Sequence, residues 1–120
     1  MKLYIDDIRP APEGWQQART VTDAIRFLSK FSLVTEEVSI DHDISYAVEV
    51  AGTQRPFPSP ENFSAVAHYM VAAAMPKLKK ITIHSANPVG AKSIYDIFHD
   101  ADIPALIEPA SRVNRLESEV

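Results

Sequence analysis

Three short segments of this chain end on residues that can do chemistry. Asp6 and Asp7 close KLYIDD, Asp41, His42 and Asp43 close EVSIDHD, and His84, Ser85 and Asn87 close ITIHSAN. Carboxylates held within a few ångströms repel, and they raise one another's pKa unless a cation lies between them. Hard oxygen donors select Mg2+, Mn2+ or Ca2+, while two nearby histidines keep Zn2+ in the set. The carboxylates of Asp6, Asp7, Asp41 and Asp43 are therefore candidate metal ligands. An acid at a strand end is also a common helix cap or turn former, so one aspartate alone says little. Acids at two separate strand ends say more.

The turn HSANPVGA supplies the complementary half of a phosphate site. Backbone N–H groups at a helix start attract anions, and Ser85 and Asn87 can donate further hydrogen bonds. Asn87 followed by Pro88 is equally a good helix start, and both readings can hold together. Gly90 allows close backbone approach in that helix's first turn. His42 lies between two acids, which suits it to metal ligation or proton transfer, with Asp43 orienting or ligating. His84 ends an apolar strand, where it is either a second proton carrier or a satisfied core histidine. His68 and His99 flank apolar stripes on helices and read as surface. Neither His42 nor His84 begins a His-x-Ser or His-x-Thr pair, which disfavours a two-histidine phosphoesterase of that design. Arg9, beside the acid pair, and Arg55 could each clamp a phosphate bidentately. Trp15, Tyr46 and Phe57 could stack on a base, although packing under the loops is the commoner fate.

The elements that must position these residues alternate between strand and helix. Lys2–Asp6 reads as a strand, and Asp7–Gln17, with Pro10, Pro12 and Gly14, as loop. Ala18–Val21 is a brief strand, after which Thr22 caps a helix through Phe31 carrying Ile25 and Leu28. Val38–Asp41 is a second clear strand. Ser59 and Pro60 are expected to start the longest helix, with Phe63, Val66, Ala67, Met70, Val71 and Ala74 as its stripe. Ile81–Ile83 is a strand, and Asn87 caps a helix with Ile94, Ile97, Phe98 and Ala101 facing inward. Ala105–Ile107, between Pro104 and Pro109, reads as an edge strand. His42–Pro58 shows little periodicity and is expected to be a long functional loop. The pattern implies one α/β domain over residues 1–110 and a polar tail over 111–120. Its sheet is expected to be open, parallel and flavodoxin-like, with about five strands and helices on both faces. In such sheets ligands bind beyond the carboxyl ends of the strands, where all three segments end.

Composition bounds the rest. The chain has 120 residues, 46% hydrophobic and 23% charged, which fits one globular core rather than a disordered chain or a coiled coil. Its formal charge of -4 argues against a duplex-binding surface. With no cysteine, thiolate catalysis and disulfides are excluded. The apolar run Met70–Met75 is too short to span a bilayer. The opening residues are unlike a signal peptide, and the expected compartment is the cytoplasm.

An acid pair after the first strand, an aspartate after the third and a hydroxyl residue after the fourth resemble the receiver domains of response regulators. On that resemblance Asp6 and Asp7 are metal-binding acids, Asp41 the phospho-acceptor and Ser85 the switch hydroxyl. Two features depart from it: a proline-rich loop replaces the first helix, and PALIEPASR lacks the lysine expected after the fifth strand. The segments LYIDDIRPAPEGW, VSIDHD and IHSANPVG more closely resemble the cyclic-phosphate-processing receivers, in order and separation. This resemblance spans Leu3 to Gly90 and implies processing of cyclic nucleotides or RNA 2′,3′-cyclic phosphate ends, as in RNA repair or phage conflict. The expected function is a metal-dependent phosphoesterase acting on a small phosphorylated ligand or RNA end. Asp6, Asp7 and Asp41 would hold the divalent cation, Mg2+ or Mn2+ first, Asp41, His42, His84 and Asp43 would do the chemistry, and Arg9, Ser85 and Asn87 would hold the phosphate. The alternatives are a non-catalytic signalling or nucleotide-binding module, and a partner-binding domain with a vestigial acid pocket.

Overall fold

The structure, a computed structural model, describes residues 1–50 and 52–108, with the side chains of 45–50 and 53–61 outside the description. In chain order the elements are β1 (Lys2–Ile5), β2 (Gln16–Ala18), α1 (Val21–Phe31), β3 (Glu37–Ile40), β4 (Asp43–Val50), β5 (Thr53–Asn62), α2 (Ser64–Ala72), β6 (Lys80–Ile83), α3 (Pro88–Asp100) and β7 (Leu106–Ile107). Five strands form an open sheet in the order β2-β1-β3-β6-β7, every pair parallel. This is the receiver-like α/β sheet expected from the sequence, and β1 connects to β2 without a helix.

The strand order decides where the helices lie. The first connection steps from β1 outward to β2, and every later one steps the opposite way. Right-handed crossovers in one direction put their helices on one face. Accordingly α1 packs on α2 and α2 on α3, so the three described helices cover one face of the sheet and not both faces as expected, because no helix joins β1 to β2. Alternation along the strands splits the sheet into two unlike faces. Leu3, Ile5, Val38, Ile40, Ile81 and Ile83 join Leu28, Val66, Met70, Ile94 and Phe98 in the buried core. Lys2, Tyr4, Ser39 and Thr82 share the other face. There the edge of the Trp15 ring meets Tyr4 at a centroid distance of 6.2 Å.

Four local expectations are corrected. The cap of α1 is Thr20, whose hydroxyl accepts from the Asp23 amide at 3.0 Å, not Thr22. Strand pairing Ile5↔Ala18 ends β2 early enough for the helix to begin at Val21. The stretch His42–Pro58 is not a loop: β4 and β5 pair as an antiparallel hairpin, with Gly52 between them at φ of +78°. Its prolines fit because each strand of a two-stranded ribbon has a free edge, where a missing N–H costs nothing. That pairing carries Pro60 into β5, so α2 starts at Ser64, where Asn62 Oδ1 accepts the Ser64 amide at 2.8 Å. The expected stripe still faces inward through Phe63, Val66, Ala67 and Met70. The longest described helix is α3 instead, with 13 residues against 9 in α2. Asn87 caps it as expected, its Oδ1 accepting the Gly90 amide at 3.1 Å. The tail, 111–120, lies outside the described residues.

Candidate functional site

The carboxyl ends of β1, β3 and β6 converge at the point where the winding direction reverses, between β1 and β3. Alternation places Asp6, Asp41 and His84 on the same side as Tyr4 and Ser39, each one step beyond its strand. All three are buried. Asp6 is held by four protein donors. Its Oδ1 accepts the amides of Ile8 and Arg9, both at 2.8 Å. Its Oδ2 lies 2.9 Å from Arg9 Nη1 and 3.0 Å from His84 Nε2. Burial alone would raise the Asp6 carboxyl, but the bonds from His84, the two amides and the guanidinium outweigh it and hold the group below its ordinary range.

Asp41 has the opposite balance. Its Oδ1 accepts the His42 amide at 2.7 Å, and its Oδ2 lies 3.4 Å from Arg9 Nη1. Burial, reinforced by the Asp6 charge, pushes its carboxyl up to about 6 despite His84, that amide and Arg9. One carboxylate oxygen from each of Asp6, Asp7 and Asp41 can be chosen so that all lie within 4.8 Å of one another. This hard, all-oxygen donor set fits a small divalent cation such as Mg2+ or Mn2+.

His84 is 1% exposed, and both ring nitrogens are engaged. Nε2 donates to the ionised Asp6, Nδ1 is 2.6 Å from Ser39 Oγ, and the ring stacks on Tyr4 at 4.4 Å and 8°. Of the two readings left open for His84, this is the geometry of a satisfied core histidine. Burial and the neighbouring Asp6 charge in turn push the Tyr4 phenol above its ordinary value. His42 differs, being partly exposed, with Nδ1 2.7 Å from Asp43 Oδ1. Its ring lies over the first turn of α3, where a Cβ on Gly90 would overlap it. Asn87 Nδ2 donates to the same Asp43 oxygen at 3.2 Å. Ser85 is buried, with its Oγ accepting the Asn87 amide at 3.1 Å.

The structure thus joins the expected residues into two linked groups. Asp6, Asp41, Arg9 and His84 form a buried cluster, and His42, Asp43, Asn87 and Gly90 form a rim above it. Sequence reasoning missed Ser39, Tyr4 and Gln17. Gln17 Nε2 ties the proline-rich loop down by donating to the carbonyls of Asp6 and Arg9 at 2.9 and 3.1 Å. The alternation of β1, β3 and β6 was the available signal, since it sets Tyr4, Ser39, Asp6 and His84 on one face. His68 and His99 are exposed, as expected. The side chains of Arg55, Tyr46 and Phe57 lie outside the described residues. No helix among the described residues is long and apolar enough to cross a membrane.

No curated protein and no solved structure matches this chain. A family model, the cyclic-phosphate processing receiver domain, matches residues 1–100, a span that contains all three strand-end motifs. The chain, with its parallel sheet and its acids at the switch point, belongs to that family of receiver domains.

Proposed function

We propose that this site hydrolyses a cyclic phosphate, on a cyclic nucleotide or an RNA 2′,3′-cyclic phosphate end, with a divalent cation bound to its acids. The observation that carries the proposal is the set of three carboxylates, from Asp6, Asp7 and Asp41, within 4.8 Å of one another beside the start of α3. Such a cation, when bound, neutralises phosphate charge and lowers the pKa of a bound water. Asp41 and Asp7, with Asp6, would hold it. The N-terminus of α3, capped by Asn87, favours negative charge, and Asn87 Nδ2, now on Asp43, is the side-chain donor nearest to hand for a phosphate oxygen. His42, held at Nδ1 by Asp43, carries the proton at Nε2. In the step itself the water oxygen bonds to phosphorus and one ring P–O bond breaks. The proton passes to the departing ribose oxygen, leaving a phosphomonoester. His84 orients Asp6 and does not touch substrate.

The test is turnover of a panel of 2′,3′- and 3′,5′-cyclic nucleotides with Mg2+ or Mn2+, with Asp41→Asn run as control. Turnover by the wild type and its loss in the variant are expected; equal turnover by both overturns the proposal. A second reading is phosphoryl acceptance by Asp41, supported by its place just beyond β3 in a receiver-type sheet. Labelling by acetyl phosphate that disappears in Asp41→Asn, without cyclic-phosphate turnover, would select it.

A further inference from the structure

A carboxylate offers about four hydrogen-bonding positions, and on Asp6 the protein already fills them. Two are taken by the amides of Ile8 and Arg9, fixed by the backbone turn. The third is taken by His84 Nε2, whose ring is locked between Ser39 Oγ and the Tyr4 face. The fourth donor is Arg9 Nη1, the one on a long side chain with rotatable bonds. The same nitrogen lies 3.4 Å from Asp41 Oδ2, so the guanidinium bridges two of the three acids that fit a divalent cation. It does so while 6% exposed, inside the pocket rather than at its mouth.

We propose that Arg9 is a built-in cation of this acid site, and that a divalent cation must displace its guanidinium from Asp6 and Asp41 in order to bind. This rests on the cation-binding reading above and adds to it an order of events. The cation and the guanidinium compete for the same oxygens, so each weakens the other's hold. The displaced guanidinium, still tethered three residues from Asp6, then becomes the bidentate donor a phosphate requires. Arg9 therefore serves the substrate only after the cation has bound. A purely structural arginine would behave differently, since its removal would disorder the acids and weaken cation binding.

Two measurements test this, and neither needs turnover. The first is calorimetric titration of Mn2+ into wild type and Arg9→Gln at equal ionic strength. The variant is expected to bind about tenfold or more tightly, the worth of one charge-assisted hydrogen bond. The second follows the wild type alone by NMR during Mg2+ titration and does not depend on the variant folding. Saturable shifts of the Asp7 and His42 amides register the cation, and the Arg9 Nη signal is expected to lose its hydrogen-bonded shift over the same range. Saturating amide shifts with an unchanged Arg9 signal, or equal or weaker binding by Arg9→Gln, overturn the displacement while leaving the cation site standing. No amide shifts and no binding heat in either protein overturn the cation site and this inference together.

Discussion

Asp41 is the residue on which the energetics of the site turn. Its carboxyl, raised from 3.8 to about 6, binds its proton more tightly in the folded than in the unfolded chain. Between those values the folded state therefore holds more protons, so stability falls as pH rises, and the full cost is present above about pH 7. In the cation-free protein Asp41→Asn removes that cost, and a gain of about 1–3 kcal/mol is expected there. The gain should vanish below the unfolded pKa of 3.8, where both states are protonated. Urea unfolding in excess chelator at the two ends of this range checks it. A gain independent of pH would show that carboxylate burial is not the cause. Asp6 has the opposite sign: its lowered carboxyl stabilises the fold above the unfolded pKa, and this is lost as acid protonates it.

At the scale of elements, α3 and the β3–β4 junction hold each other through Gly90 and His42. Alanine is the better helix former by about 1 kcal/mol, yet a Cβ at Gly90 meets the His42 ring. Gly90→Ala should therefore displace the ring, break its 2.7 Å contact with Asp43 and lower both stability and turnover. In Gly90→Ala/His42→Ala the stability should recover, which a double-mutant cycle of thermal unfolding measures. Additive losses would mean that the two residues do not meet. The α3 cap was legible because Asn-Pro carries its own local signal, as were β1 and β3 from short apolar runs ending on acid and β6 from one ending on His84. The hairpin was not. Alternation is confined to DISYAVEV, and the three prolines of the facing strand carry the local signal of a loop and a helix start, because proline is tolerated in a strand only at a free edge, which local sequence does not reveal. The cluster Asp6, Asp41 and His84 was legible from strand ends. Its internal wiring through Ser39, Tyr4 and Arg9 needed the sheet's register, which pairs residues far apart in sequence.

The whole molecule combines an acidic net charge of -4 with a cluster of acids that, on the proposed function, receives an anionic ligand. A small anion is favoured there only once positive charge has been supplied, at the switch point where three strand ends bring the acids together. The parallel sheet makes that convergence unavoidable: β1, β3 and β6 are adjacent and all point the same way. On the proposed function, cyclic-phosphate hydrolysis and divalent-cation binding use the same carboxylates. The most direct measurement is the initial rate of cyclic-nucleotide hydrolysis as free Mg2+ or Mn2+ rises from excess chelator to saturation, for the wild type and for Asp41→Asn. The wild-type rate is expected to start at background and saturate with the cation, and the variant to stay at background throughout. Hydrolysis at full rate in excess chelator would contradict the proposed function.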